Sequence, residues 1–146
     1  MNSSTMFQDL AALSQELNEA SDTLSEQIAE AEKALNALKL GVTAWATINS
    51  WTSPTQYGAS EGCSIGYGKH NGKWGLLYLT WSDDFPESER SISLREAPRE
   101  DRIAAIAKLP ELVKALEKRA REITKEARGK TAELKETVGA LRALTQ

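Results

Sequence analysis

The stretch IGYGKHNGKWGLLYLTW, residues 65–81, decides the fold, because two alternating runs flank Asn71-Gly72 at its centre. Asn-Gly favours a two-residue type I′ turn, in which both residues take a positive φ, so the stretch predicts a β-hairpin. A strand face made largely of glycine lets a helix approach closely. The hairpin register puts Ile65, Tyr67, Lys69, Trp74, Leu76 and Tyr78 on one face and Gly66, Gly68, Gly75, Leu77, Leu79 and Trp81 on the other.

A further strand is predicted upstream of the hairpin, in residues 42–51. The three strands form an antiparallel β-meander in residues 42–82, with residues 52–62 as a long connection and residues 82–89 as a polar exit loop. Eight of the nine aromatic residues lie within residues 45–85. This head therefore holds nearly all of the large ring side chains.

Long amphipathic helices are predicted on both sides of the sheet, because apolar residues recur there at steps of three and four. The first helix spans residues 5–41 and ends at Gly41. Residues 99–145 predict a short helix followed by a long one, since Pro110 suits the first turn of a new helix. The apolar positions are Leu10, Leu13, Leu17, Ala20, Leu24, Ile28, Ala31, Leu35 and Leu38 in the first helix, and Ile106, Leu109, Val113, Leu116, Ala120, Ile123, Ala127, Leu134, Val138 and Leu141 in the C-terminal segment.

The two helical segments carry opposite net charge. Residues 1–41 hold seven acidic and two basic side chains, whereas residues 99–146 hold eight acidic and twelve basic ones. Charges that flank an apolar seam select the partner and the orientation of paired helices, so we expect antiparallel pairing, as a helical hairpin within one chain or between two chains. The cations of the C-terminal helix form a basic stripe of Lys114, Lys118, Arg121, Lys125 and Arg128.

The chain of 146 residues has the length of one domain. We predict an α+β protein, with residues 1–146 as a single domain: a helix, a three-stranded meander, then a short and a long helix, the helices paired as an elongated coiled-coil-like stalk. No run approaches the roughly 20 apolar residues that a membrane span needs. The absence of a basic and apolar leader and the single cysteine favour the cytoplasm.

Residues capable of chemistry are few, and each has an ordinary structural explanation. His70 lies beside the predicted turn, and Cys63 has no activating neighbour in the sequence. Residues 66–69, Gly-Tyr-Gly-Lys, lack the later Gly-Lys-Ser/Thr of a phosphate loop. The carboxylates within residues 83–89 lack the alternating ligand positions of a calcium loop. We therefore expect no catalysis, no cofactor and no metal ion.

The surplus of aromatic rings favours protein binding. A small sheet that is covered on one face cannot bury four tryptophans, and Trp and Tyr dominate the energetics of protein interfaces. We predict a protein–protein interaction module, an adaptor or an inhibitor of a larger protein, which binds through its aromatic sheet face or its helical stalk. The expected binding residues are Tyr67, Trp74 and Tyr78 on one exposed face, together with Trp45 and Trp51, and the basic stripe is a further charged interface.

Four alternatives stay open at this point. One is an enzyme that uses Cys63 or His70. In another alternative, both faces of the sheet are covered and the aromatic rings form core rather than interface. In a further alternative, the chain is a self-associating structural coiled-coil protein, such as a homodimer. The basic stripe tracks a nucleic-acid backbone, although the pI of about 5.3 and the interspersed glutamates disfavour this partner.

Overall fold

The computed structural model of the chain describes residues 3–52, 60–83 and 85–145. The connection predicted over residues 52–62 falls mostly outside these ranges. The predicted α+β class is confirmed. In chain order the elements are α1 (Ser3–Ala37), β1 (Ala44–Thr52), β2 (Ser60–His70), β3 (Lys73–Ser82), a 3₁₀ turn (Pro86–Ser88), β4 (Arg90–Ser93), a second 3₁₀ turn (Leu94–Glu96), α2 (Arg99–Ala107) and α3 (Leu109–Leu144).

The β-hairpin predicted at Asn71-Gly72 is confirmed. The φ angles of Asn71 and Gly72 are 53° and 79°, with the positive signs that a type I′ turn requires. β2 and β3 pair antiparallel in the predicted register, so that Ile65 lies opposite Tyr78 and Tyr67 lies opposite Leu76. The turn thus determines which side chains share a face.

The predicted three-stranded sheet is wrong, because the sheet has four strands in the order β1-β2-β3-β4. The additional strand is β4, which pairs antiparallel with β3 through Leu77 opposite Ser93 and Thr80 opposite Arg90. Its sequence, Arg-Ser-Ile-Ser, is polar and only four residues long. Such a segment carries almost no alternating pattern and becomes a strand because β3 offers it hydrogen-bonding partners.

Two predicted boundaries shift at the exit from the first helix. α1 ends at Ala37 rather than at Gly41, and β1 begins at Ala44 rather than at residue 42. Lys39 and Gly41 have φ of 52° and 63°, and such left-handed residues terminate a helix and turn the chain away. The predicted joint between the C-terminal helices is confirmed, since α3 begins at Leu109 and has Pro110 in its first turn.

The hydrophobic core lies between the helices and one face of the sheet. That face carries Ile65, Tyr67 and Leu76, each at most 2 % exposed. Ile28 of α1 and Leu112 of α3 belong to the same buried cluster, so both long helices cover this face. α1 packs against β3 and α3 packs against β1.

Tryptophan rings cover Gly62 and Gly66 on the glycine-lined face of the hairpin, so the predicted approach of a helix to this face is found at Gly75, where Glu32 of α1 lies, and not at those two glycines. A Cβ on Gly66 would lie 2.1 Å from the ring of Trp45, and a Cβ on Gly62 would lie 2.5 Å from the ring of Trp81. Each ring therefore fills the space above a glycine of β2. The indole nitrogen of Trp81 donates a hydrogen bond to Ser64 Oγ at 3.2 Å.

Polar contacts hold the C-terminal half of α1 against β3. They lie on the part of the β3 edge that precedes residues 77–80, with which β4 pairs. The backbone N–H of Leu76 donates to Glu32 Oε1 at 3.1 Å. Arg95 Nε lies 3.5 Å from Glu32 Oε2. A Cβ on Gly75 would lie 3.2 Å from Glu32 Oε1, so glycine at this position gives the carboxylate room to approach. Glu32 thus stands where a neighbouring strand would stand.

We expect Glu32→Ala to lower the free energy of unfolding by about 1–3 kcal/mol, because it leaves the buried N–H of Leu76 without an acceptor. Urea unfolding followed by tryptophan fluorescence measures this loss. The matched control is Glu30→Ala, which removes an exposed carboxylate from the same helix and should change stability by less than about 0.5 kcal/mol. Equal effects of the two substitutions would contradict the assigned role of Glu32.

Candidate interaction surfaces

Tyr67, the first residue predicted to bind a partner, lies in the core and is 2 % exposed. Its ring stacks on Trp74 with centroids 5.4 Å apart, and its hydroxyl donates to Asn36 Oδ1 at 2.5 Å. The prediction that this side chain lies on an exposed face is wrong. The helices cover this face because its side chains are larger and more apolar than the glycines opposite, so covering it removes more apolar area from water.

Trp74 and Tyr78, from the same predicted patch, are half-buried. The carbonyl of Trp74 accepts a hydrogen bond from Asn36 Nδ2 at 3.2 Å, and the ammonium of Lys69 lies 5.7 Å from its ring centroid. Burial raises the pKa of Tyr78, and the neighbouring Cys63 and Asp101 side chains raise it further. Both rings are therefore part of the packing between sheet and helices, and neither is freely offered to a partner.

Burial, and then the negative charge of Glu32, raise the pKa of Tyr67 above its usual value of about 10. The folded protein therefore holds this proton more tightly than the unfolded chain. The resulting stability is complete below pH 10 and is lost as the pH rises through 10 toward the folded-state pKa.

We expect Tyr67→Phe to flatten the fall in unfolding free energy between pH 9.5 and 11.5, a window chosen around a pKa of about 10, by up to about 1.4 kcal/mol per pH unit. At pH 8 the same change should cost about 1 kcal/mol, because Asn36 Oδ1 loses its donor. Urea titrations at fixed pH values measure both effects. If the unfolding free energies of the wild type and of Tyr67→Phe fell in parallel with rising pH, the raised pKa of Tyr67 would be contradicted.

Trp45 and Trp51 are the predicted binding residues that the structure leaves exposed, at 38 % and 47 %. A register shift between Thr47 and Asn49 separates them along β1. Trp45 pairs with Gly66, whereas Trp51 pairs with Glu61 and donates its indole N–H to that carboxylate at 3.1 Å. The two rings therefore lie on opposite faces of the sheet and do not form one patch.

We expect Gly66→Ala to cost about 1–3 kcal/mol of stability, because the new methyl group displaces the ring of Trp45. The same substitution in a Trp45→Ala background should cost less than about 0.5 kcal/mol, since the obstacle is gone. This double-mutant cycle isolates the contact. If Gly66→Ala lowered the stability equally in both backgrounds, the requirement for glycine would come from the backbone of β2 and not from the ring of Trp45.

Each of the two long helices has a terminal segment that the rest of the chain leaves exposed to solvent. We call α1 residues 3–20 the N-terminal arm; every residue in it is exposed. We call α3 residues 121–144 the C-terminal arm; every residue in it is exposed except the half-buried Val138. No helix among the described residues is long and apolar enough to cross a membrane.

Both arms keep the apolar stripe that the sequence predicts, and water faces it. The exposed fractions in the N-terminal arm run from 49 % at Leu17 to 71 % at Phe7. A stripe of this size on a helix marks a contact surface, because an isolated apolar helix face is unfavourable in water. The exposed apolar residues are Met6, Phe7, Leu10, Leu13 and Leu17 in the N-terminal arm, and Ile123, Leu134, Leu141 and Leu144 in the C-terminal arm.

A groove of about 700 Å³ lies where the C-terminal end of α1 passes the middle of α3. Leu38, the residue after the end of α1, and Val113 of α3 line it and are 65 % and 46 % exposed. Three cations of the predicted basic stripe form its rim. The groove is lined by Leu35, Leu38, Leu40, Val113, Leu116, Glu117, Ala120, Arg121, Thr124, Lys125 and Arg128.

The basic stripe as a whole is solvated. Lys114, Lys118, Arg121, Lys125 and Arg128 are all exposed. Arg121 Nη2 lies 2.6 Å from a carboxylate oxygen one helical turn away, at Glu117. An exposed pair of this kind contributes about 0.3–0.5 kcal/mol, so the stripe adds little to the stability of the helix.

The residues considered for chemistry do not converge on a reactive centre. His70 lies at the end of β2 beside the turn, and Cys63 is a half-buried free thiol. Residues 66–69 lie within β2 and not in a loop. Asp84, in the predicted carboxylate cluster, lies outside the described residues. Among the residues that are described, no group of three or more His, Cys, Asp or Glu is arranged to hold a metal ion.

Comparison of the chain with protein-family models, with curated proteins and with solved structures gives no match. What the chain does is therefore argued from its own surfaces.

The projecting arms escape prediction from the sequence, although one signal points to them. A helix of 35 residues is about 52 Å long, whereas the longest strand, of 11 residues, spans about 36 Å. A helix so much longer than the sheet must leave part of its apolar stripe uncovered by the sheet. The apolar periodicity alone identifies the face of the helix but not the surface that covers it.

Proposed function

We propose that this chain is a non-catalytic protein–protein interaction module, of the adaptor or inhibitor type, that works in the cytoplasm. The observation that carries the proposal is the N-terminal arm: an apolar helix face of five large side chains that the chain's own head leaves in water. A partner helix or groove that covers this face gains the hydrophobic free energy that the fold leaves unused.

The composition of the arms supports binding rather than a purely structural extension. The N-terminal arm presents Met6 and Phe7 beside its leucines. Phe and Met are enriched at interfaces, and long flexible side chains adapt to a partner's shape. A helix that served only as a spacer would carry polar residues on all sides.

The sheet takes a smaller part in the proposed interface than the sequence predicts. Tyr67 is withdrawn from the binding surface because it is buried, and Trp74 and Tyr78 are half-buried. Trp45 and Trp51 remain as exposed rings at the edge strand β1. The arms are therefore the principal binding surface, and β1 is a secondary one.

The triple variant Leu10→Ser, Leu13→Ser and Leu17→Ser tests the proposal. We expect it to lose at least about 90 % of the protein that co-purifies stoichiometrically with the tagged wild-type chain after nuclease treatment, because it removes the central anchors of the arm. The bound protein is identified by mass spectrometry and quantified against the bait. Stability of the head is followed by tryptophan fluorescence and should stay within about 0.5 kcal/mol, since these side chains are exposed.

The matched control is Gln8→Ser, Ala12→Ser and Gln15→Ser, three substitutions on the opposite side of the same arm. This variant should retain the bound protein. Equal retention by both variants would overturn the proposal, as would bound material that consists only of nuclease-sensitive nucleic acid. Recovery of only a second, differently tagged copy of the chain would favour the self-associating structural alternative over an adaptor or inhibitor.

A further inference from the structure

We infer that the groove between the C-terminal end of α1 and the middle of α3 receives the N-terminal arm of a second copy of this chain. The inference rests on the proposed function, because it names the partner of the same apolar arm. The groove supplies exposed apolar walls at Leu38 and Val113, and the arm supplies an exposed apolar stripe of matching character.

A chain cannot fill its own groove with its own arm. Leu10 lies in the N-terminal arm of α1, and Leu38 at the groove directly follows the last residue of the same continuous helix. At 1.5 Å per residue they are about 42 Å apart along the helix axis. The helix would have to break to bring them together, and its sequence contains no proline or glycine between these positions. The occupant must therefore come from another molecule.

Charge selects the second copy as that molecule. The arm carries three acidic residues and no basic one. Asp9 and Glu16 are seven residues apart, so both flank the leucine stripe on the same side of the helix. The rim of the groove carries three cations, Arg121, Lys125 and Arg128, and one carboxylate, Glu117, which pairs with Arg121, so the rim has a net positive charge at Lys125 and Arg128. An acidic apolar helix in a groove with a basic rim is complementary in both respects.

The arrangement closes on itself. Two copies related by a two-fold axis, with their α1 helices side by side and antiparallel, place each N-terminal arm beside the other copy's groove. Both grooves are then filled and no arm remains to recruit a third copy, as expected for an isologous dimer. The N-terminal end of each α1, which has a positive dipole, also lies near the negative C-terminal end of the other.

A charge exchange tests this geometry on the purified full chain by sedimentation velocity over a range of concentrations. Variant A is Asp9→Lys with Glu16→Lys, and variant B is Lys125→Glu with Arg128→Glu. In variant A a basic arm meets a basic rim, and in variant B an acidic arm meets an acidic rim. We expect the dissociation constant of the dimer to rise about 100-fold or more in each.

Recombining the two changes should restore the dimer. An equimolar mixture of variants A and B should form a 1:1 dimer, and a single chain that carries all four substitutions should dimerise like the wild type. The control is Glu87→Lys with Glu89→Lys, which makes the same charge change on exposed residues that belong neither to α1 nor to the groove lining and should leave the dimer intact. Tryptophan fluorescence verifies that each head is folded.

The inference is overturned if the wild-type chain stays monomeric at the highest concentration sedimented. It is also overturned if variant B dimerises like the wild type, or if recombining the charges of variants A and B fails to restore the dimer. A monomeric wild type whose Leu10, Leu13 and Leu17 still capture a foreign protein would leave the proposed function standing. A wild type that dimerises but captures no foreign protein would support the inference and overturn the adaptor or inhibitor function.

Discussion

The fold depends on how one carboxylate completes the edge of a sheet. Glu32 accepts the backbone N–H of Leu76 at a point where a strand would otherwise be needed, and Arg95 approaches its other oxygen. A buried N–H without an acceptor is costly, so this contact fixes the rotation of α1 and its position along β3. One turn further along, Asn36 joins the hydroxyl of Tyr67 to the carbonyl of Trp74 and fixes the same alignment.

The rest of the architecture follows from that alignment. With α1 held at the β3 edge, Ile28 and Tyr67 share one core with Leu112 of α3. Arg102 connects α2 to α1, because it donates hydrogen bonds to the hydroxyls of Ser21 and Ser25. On the other face, indole rings supplied by the strands themselves cover Gly62 and Gly66, and α1 reaches Gly75 through Glu32.

Much of the fold is readable from local sequence, and most of the site is not. The hairpin could be predicted because Asn71-Gly72 demands its own backbone geometry, and the strand parity follows from it. The inner face could not be chosen, since Trp45, which covers Gly66, comes from a different strand. The stripe through Leu10 predicts a helix face but is silent on what covers that face, because periodicity contains no information on long-range contacts. The same limitation hides the groove at Leu38.

The exposed arms also affect how long the protein lasts in a cell. The C-terminal arm is a helix with few tertiary contacts, held by its backbone bonds and by exposed pairs such as Lys130 with Glu133. Helices of this kind open locally at a small fraction of the free energy that unfolds a core. The arm is rich in lysine and arginine, so each opening presents cleavage sites to a protease. A partner that covers the arm would shield these sites from the protease.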